Sequence, residues 1–149
     1  MRPVNIMKVN LLSRSANESF ARVAVAAFIA QLDPTVDELA DIKTAVSEAV
    51  TNCIVHAYKD GIGEIYITVK IFENDKVSIT IKDRGCGIED VARAMEPMYT
   101  TSPSGERAGL GFTVMQSFTD KVRVKSRTGF GTTVIMEKKL GKKSVARGT

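Results

Sequence analysis

Two pairs of strand-like segments, each joined by a short turn, most constrain the fold of this chain. Residues 64–72 and 76–83 alternate apolar and polar side chains, and residues 121–127 and 132–139 do the same. A period of two predicts half-buried strands, and a short polar or glycine-containing connection predicts an antiparallel hairpin. Two such hairpins disfavour the strand–helix–strand alternation of a dinucleotide-binding fold with a parallel sheet.

Two capping signatures predict where the first helices begin. Residues 15–18 (Ser-Ala-Asn-Glu) precede an alanine-rich run, and residues 35–38 (Thr-Val-Asp-Glu) precede a longer run that reaches about residue 58. In such a box the hydroxyl and carboxylate side chains satisfy backbone N–H groups of the first turn. Apolar side chains recur every three or four residues along the longer run, which predicts one buried face. A strand over 4–12 and a helix over 109–119 complete the order β-α-α-β-β-loop-α-β-β.

This order predicts an α+β protein in which helices cover one face of a sheet. We expect a two-layer α/β sandwich whose sheet is mixed but mostly antiparallel. The chain has 149 residues, enough for one domain with its own core. We expect residues 1–140 to form that domain, with residues 1–35 available for dimer or partner contacts. Residues 141–149 are expected to form a disordered basic tail.

The formal net charge of +4 depends on the C-terminal end. The chain has 21 Lys and Arg against 17 Asp and Glu, but the last twelve positions hold five of the basic residues and no acidic one. Residues 1–137 therefore carry a net charge of −1. A nucleic-acid-binding domain should show a basic face on the fold itself, so we expect no direct nucleic-acid partner.

The same sequence disfavours a membrane or secreted protein. No apolar run approaches the roughly 18 residues of a membrane span, and the N-terminus does not resemble a signal peptide. Two cysteines and one histidine disfavour a zinc site, and free thiols are the default in a reducing compartment. We therefore expect a cytoplasmic location.

Polar side chains recur at four-residue spacing along the predicted long helix. Glu48, Asn52 and His56 would share one stripe. A carboxylate can act as a general base, and an amide oxygen suits Mg²⁺, which takes its other ligands from water and phosphate. A solvated helix face would give the same stripe, so this feature alone decides nothing.

Three glycine-containing segments follow. Residues 83–87 (Asp-Arg-Gly-Cys-Gly) come directly after a strand and could hold an adenine amino group on Asp83, although a plain turn has the same pattern. Residues 105–111 open a helix whose free N–H groups could hold phosphate, with Arg107 to neutralise it, but an exposed arginine is equally compatible. The spacing matches neither a P-loop nor a dinucleotide motif. Residues 129–133 (Gly-Phe-Gly-Thr-Thr) lie in the last predicted hairpin, where a turn accounts for the glycines.

The order of these four features resembles the nucleotide-binding motifs of the GHKL superfamily, which includes gyrase, Hsp90, histidine kinases and MutL. The resemblance covers roughly residues 38–135 and implies a Bergerat-type sandwich. It also implies an ATP–Mg²⁺ site between helices and sheet, closed by a mobile lid near residues 95–110. A narrower resemblance to the sporulation anti-sigma F factors spans nearly the whole chain. Its matching segments are residues 17–23, 26–35, 37–39, 43–52, 99–101, 106–107 and 111–115.

That family consists of homodimeric serine kinases that bind sigma F and convert ATP to ADP by phosphorylating an anti-anti-sigma protein. The resemblance implies that Glu48 is the general base, that Asn52 holds Mg²⁺, and that Arg107 has a catalytic role. It implies that Glu18 and Arg22 contact the protein partners. The residues implied to contact the nucleotide are Asn52, Asp83, Gly85, Gly87, Thr101, Arg107, Gly109, Gly111 and Thr132.

Some positions depart from the family pattern, and two alternatives stay open. Arg84 replaces a common acid, Cys86 replaces a small apolar residue, and Ala57 stands where glycine is usual. The substitution at Arg84 leaves the local charge near the nucleotide in question. One alternative is a general-stress anti-sigma kinase, against which the motif around Arg22 argues. The other is a nucleotide-gated sigma-binding module without significant kinase activity, against which Glu48 argues because binding alone needs no base.

Overall fold

A five-stranded sheet covered on one face by helices forms the protein. The computed structural model describes residues 1–96 and 110–141. The strands and helices are β1 (Pro3–Leu12), α1 (Ala16–Ile29), a 3₁₀ turn (Ala30–Leu32), α2 (Val36–Thr51), a π-helical segment (Asn52–Ala57), β2 (Glu64–Phe72), β3 (Lys76–Asp83), α3 (Val91–Ala94), α4 (Phe112–Phe118), β4 (Lys121–Arg127) and β5 (Gly131–Lys139).

The strands follow the order β1-β2-β3-β5-β4. Both predicted hairpins form, and β3 of the first hairpin pairs with β5 of the second. The α+β class and the helix-covered sheet are confirmed. Where a mixed sheet was expected, all four pairings of the described strands are antiparallel. The pairing of β3 with β5 also brings Asp83 opposite Thr132, at the edge where the site lies.

The hydrophobic core lies between the sheet and the helices. Every second residue of β2 and β3 is buried, as expected for strands with one covered face. α2 packs against both α1 and α4 and contributes its predicted apolar face. The largest fully buried side chains are Phe112, Ile29, Ile42, Ile65, Ile67, Ile71, Ile79, Ile81, Met115, Met136, Val25 and Val46. The other face of the sheet carries no helix among the described residues.

Of the two predicted capping boxes, one is confirmed and one is wrong. At α2 the Glu38 backbone N–H donates to the Thr35 hydroxyl at 3.0 Å, and the Thr35 N–H donates to the Glu38 carboxylate at 2.8 Å. At α1 the Ser15 side chain makes no cap hydrogen bond. Glu18 instead accepts hydrogen bonds from the Ser47 hydroxyl and from Arg22. The Glu18 carboxylate therefore joins α1 to α2 and does not take part in a capping box at the start of α1.

Helix α4 begins at Phe112, three residues later than predicted. Gly111 has a φ of 69°, a left-handed conformation that a right-handed helix cannot include. Residues 97–109 and 142–149 lie outside the described residues, so the predicted lid and the basic tail fall almost entirely there. Thr101, Arg107 and Gly109 also lie outside them. None of the described helices is both long enough and apolar enough to span a membrane.

Candidate active site

A cavity of about 450 Å³ lies between the C-terminal part of α2 and the ends of β3 and β5. Its volume is in the range of small-molecule pockets, and its walls are mostly apolar with a few polar groups. The described residues that line it are Ala49, Asn52, Cys53, His56, Ala57, Lys59, Ile81, Asp83, Cys86, Gly87, Ile88, Leu110, Phe112, Thr132 and Val134.

Asp83 is the buried acceptor of this cavity. Its side chain is held because Oδ1 accepts from the backbone N–H groups of Gly85 at 2.9 Å and Thr132 at 3.2 Å. Among the described residues, the donor to Oδ2 is the Cys53 thiol at 3.6 Å, a weak donor. Burial raises the pKa of Asp83 above its ordinary value, although these hydrogen bonds oppose the rise. A buried carboxylate oxygen with a weak partner fits an incoming amino group such as that of adenine.

Cys53, the donor to Asp83, is buried in the core. Burial and the neighbouring Asp83 raise the pKa of the Cys53 thiol, so it stays protonated and can donate to the carboxylate. Its place among the apolar residues of the predicted long helix gave no signal for this contact with Asp83.

The last hairpin holds Asp83 through the backbone of Thr132, whose hydroxyl is in turn paired with that of Ser126. The hydroxyls of Thr132 and Ser126 lie 2.7 Å apart, and Ser126 also accepts from the Ile88 backbone N–H at 2.7 Å. The Thr132 backbone N–H donates to Asp83, so these two predicted nucleotide-contacting residues lie together in the cavity wall. Ser126 was missed, because a serine in an alternating strand carries no distinct sequence signal.

Gly85 and Gly87 let the loop after β3 pass close to two other backbones. A side chain at Gly85 would run into the Ala57 carbonyl. Gly87 has a φ of 78°, and a side chain there would meet the Arg127 backbone. The Cys86 N–H also donates to the Ala57 carbonyl at 3.0 Å. The two glycines thus let this wall of the cavity pack against the π-helical segment and β4.

The end of the long helix changes from α to π geometry at Asn52. The Tyr58 N–H reaches back to the Cys53 carbonyl, five residues earlier. Single π turns inside helices are frequent at functional sites. Asn52 and His56 line the cavity, but Glu48 does not, so the predicted three-residue stripe is divided between two places.

Asn52 lies at the end of the cavity nearest to α4. Its side-chain NH₂ donates to the Leu110 carbonyl at 2.5 Å. This leaves the side-chain oxygen as the atom that could bind a metal. The described residues contain no cluster of three or more His, Cys, Asp and Glu side chains that could hold a metal by themselves.

Glu48 faces a second cavity, formed between α1 and α2. The residues lining this cavity include Glu18, Arg22, Lys43 and Ser47, and Arg22 pairs with Glu18 at 3.2 Å. Glu48 also lies directly against Gly111, where a Cβ would collide with its carboxylate. The structure therefore brings the predicted base together with the two predicted partner-binding residues and places it at the start of α4. We call this second cavity the α1–α2 groove.

Arg84, which replaces the acid common in the family, does not line the first cavity. Its guanidinium lies over the Tyr66 ring, 4.9 Å from the ring centre. The Arg84 backbone N–H donates to the Tyr58 hydroxyl at 2.6 Å. The substitution therefore changes charge outside the cavity.

Residues 12–138 match the family model of the histidine kinase-like ATPase domain. An anti-sigma F factor of Thermoanaerobacter sp. is 57% identical over 95% of this chain and 98% of its own length. That of Caldanaerobacter subterraneus subsp. tengcongensis is 59% identical over 93% and 96%. That of Pasteuria penetrans is 54% identical over 91% of both chains.

Two solved structures show the same fold at low sequence identity. The RsbU and RsbW domains of a Mycobacterium tuberculosis protein superpose with a TM-score of 0.67 at 18% identity, covering 93% of this chain and 33% of that one. The nucleotide-free catalytic domain of histidine kinase ThkA superposes with a TM-score of 0.55 at 17% identity, covering 92% and 97%.

Proposed function

Because this chain belongs to the anti-sigma F factor family, within the histidine kinase-like ATPase domains, we propose that it is a serine kinase that also sequesters sigma F. In one state it would bind this sporulation sigma factor in an ATP-dependent way. In the other it would phosphorylate a serine of an anti-anti-sigma protein and release ADP. The general-stress alternative is less favoured, since the relatives named above at 54–59% identity are anti-sigma F factors.

The position of Glu48 carries this proposal. It lies in the α1–α2 groove with Glu18 and Arg22, and it lies against Gly111 at the start of α4. A base at this position could accept the proton of a serine hydroxyl presented by a protein in the groove. Asn52 is one helical turn further along and faces the nucleotide cavity. A nucleotide-gated binding module that transfers no phosphate would not require a carboxylate between the α1–α2 groove and the start of α4.

The cavity fits the adenine end of ATP. Asp83 offers an acceptor with a weak existing partner, and the apolar walls would cover the flat faces of a base. The phosphates would extend towards α4, with Gly109, Arg107 and Thr101 as the implied contacts. Mg²⁺, when bound, neutralises phosphate charge. Asn52 would supply one oxygen to it, and water and phosphate oxygens the others.

Both protein partners would use the α1–α2 groove. Glu18 and Arg22 are only partly buried there, and Arg22 keeps its guanidinium at the surface. A single groove cannot hold two proteins at once. Sigma F and the anti-anti-sigma protein would therefore compete for it, and the bound nucleotide would decide which of them stays. The family's homodimeric state is part of the same proposal.

A phosphate-transfer assay tests the enzymatic part. The protein is incubated with Mg²⁺, γ-labelled ATP and a sporulation anti-anti-sigma protein, and label on the partner's serine is measured. Glu48→Gln should lower the transfer rate by at least about 100-fold, the size of a lost general base, while ADP affinity stays within about twofold. Glu73→Gln, in the exposed turn between β2 and β3, is the matched control and should transfer normally.

Two outcomes would contradict this assignment. Normal transfer by Glu48→Gln would remove Glu48 from the chemistry. No transfer by the wild-type protein, together with ATP-dependent capture of sigma F, would favour the sequestering module without kinase activity.

A further inference from the structure

The helix-free face of the sheet carries a group of basic side chains that the proposed kinase does not use. They occupy the strand positions that alternate with the buried ones on β3, β5 and β4. One acidic side chain, Glu137, lies among them. We call this group the basic surface, and its members are Lys76, Lys82, Lys121, Arg123, Lys125, Arg127 and Lys139.

The basic surface places positive charge on the fold itself as well as at the C-terminal end. Six of the seven cations, all except Lys139, lie within residues 1–137. Together with Glu137 they give this part of the basic surface a net charge of +5. Since the whole range carries −1, the remainder of it carries −6. The net charge of residues 1–137 is therefore close to zero although positive and negative side chains are separated in space. This separation becomes visible only when alternate residues of each strand are assigned to one face of the sheet.

The cations are densest along β4. Four of them, from Lys121 to Arg127, occupy every second residue of β4 and are exposed. Such positions are about 6.8 Å apart along a strand. Glu137 pairs with Lys76 at 3.3 Å and with Arg123 at 3.4 Å. Among the described residues, Lys82, Lys121 and Lys125 have no acidic partner within salt-bridge distance, so their charge is available to a ligand.

Aromatic rings flank the basic surface. The Arg127 guanidinium lies over the Phe130 ring at 4.2 Å from its centre, and Phe130 is 63% exposed. Arg84 lies over Tyr66 in the same manner. Exposed aromatic rings beside cationic rows are the two elements by which proteins hold single-stranded nucleic acid.

The composition favours nucleic acid over a protein partner. Protein–protein interfaces have cores depleted of charge, whereas nucleic-acid interfaces are polar and strongly basic. The residues between the cations include Ile135 and the small hydroxyl side chains Ser78, Thr80 and Thr133, which can also donate to phosphate. We propose that the basic surface binds single-stranded nucleic acid through its phosphates, without sequence selectivity, and that a base stacks on Phe130.

Fluorescence anisotropy with a labelled oligothymidylate tests this proposal. The full chain is titrated with ADP present in excess, so that the nucleotide cavity is occupied. Lys82→Glu/Lys125→Glu should weaken binding at least about tenfold and flatten the salt dependence by about 1.4 in log–log slope, which corresponds to two lost phosphate contacts. Phe130→Ala should weaken it about fivefold or more, by the loss of one stacked base. Lys121→Gln/Lys125→Gln provides a milder pair if charge reversal impairs folding.

The matched control is Arg14→Glu/Arg93→Glu, which makes the same charge change at two exposed positions outside the basic surface. It should keep the affinity within about twofold. Equal losses in both double variants, or no wild-type binding at about 50 mM salt, would overturn the proposal. Tighter binding of a duplex, or equal binding of polyglutamate, would also overturn it and would identify a different partner. Phosphate transfer is measured separately, because neither Lys82 nor Lys125 lines the two cavities.

Discussion

At the scale of single residues, the site depends on how one carboxylate is solvated. Two backbone N–H groups fix Oδ1 of Asp83, and a thiol that stays protonated weakly occupies Oδ2. The raised pKa of Asp83, caused mainly by burial, means that its ionised form is costly in the nucleotide-free protein. A ligand amino group would offset that cost. In the proposed nucleotide site, Asp83 would therefore contribute to binding rather than to stability.

Asp83→Asn should lower ADP affinity at least about tenfold, because an NH₂ group replaces an oxygen that must accept a charge-assisted hydrogen bond. Its melting temperature at neutral pH should not fall, since the folded state holds the proton of Asp83 more tightly than the unfolded state does. Wild-type ADP affinity should also decline on acidification at a higher pH than an ordinary aspartate would dictate. Calorimetric titration and thermal unfolding measure both effects.

Asp60→Asn, at an exposed loop position, is the control for these measurements. An unchanged ADP affinity in Asp83→Asn would show that the carboxylate does not accept a hydrogen bond from the nucleotide.

At the scale of elements, the site depends on the π-helical end of the long helix and on the loop that packs against it. The Ala57 carbonyl accepts from Cys86 and leaves no room for a side chain at Gly85. Gly85→Ala should therefore push the loop off the helix, destabilise the fold by about 1–3 kcal/mol and weaken ADP binding. Chemical denaturation and ADP titration measure the two effects.

Gly61→Ala is the matched control, since a Cβ there meets no atom within 4 Å and should be nearly neutral. Equal effects of the two substitutions would contradict the importance of this close approach.

The sequence predicted those elements whose signals are local. Hairpin alternation located β2 to β5, and the Thr35 capping box located the start of α2. Features set by contacts between distant segments were not predictable. Glu18 does not cap α1 as expected, because its carboxylate accepts a hydrogen bond from Ser47, 29 residues away. The left-handed conformation of Gly111 makes α4 begin later than predicted. Nothing in the sequence of residues 52–57 distinguishes a π turn from an α-helix. The proposed roles of Glu48, Asn52 and Asp83 rest on the family resemblance, because the spacing of these residues alone does not indicate them.

At the scale of the whole molecule, Glu38 joins the start of α2 to the end of β5. It accepts from the backbone N–H groups of Thr35 and Gly141, each at 2.8 Å. Burial alone would raise the pKa of Glu38, but these hydrogen bonds and the charge of Lys138 outweigh it, so the pKa is lowered. The ionised form therefore stabilises the fold above the ordinary glutamate pKa, and that contribution is lost as the pH falls through the lowered value.

Glu38→Gln should lower the free energy of unfolding at pH 7 by about 1–2 kcal/mol, the size of a lost cap and one charged hydrogen bond. The difference from wild type should shrink as the pH falls below the ordinary glutamate pKa. Urea unfolding at several pH values measures it, with Glu73→Gln as the exposed control. A difference that stays constant with pH would contradict an ionised Glu38 as its source.

The edge of the sheet bears on the proposed homodimer. β1 is an outermost strand, and its apolar side chains Val4, Ile6 and Leu12 are 57%, 45% and 49% exposed. An unprotected apolar edge is a template for pairing with another chain. If the homodimer uses it, Ile6→Glu should reduce the mass in light scattering from about twice 16.2 kDa to 16.2 kDa. Val36→Glu, at an 85% exposed position in the first turn of α2, should leave the dimer intact. Dissociation by both substitutions, or by neither, would place the interface elsewhere.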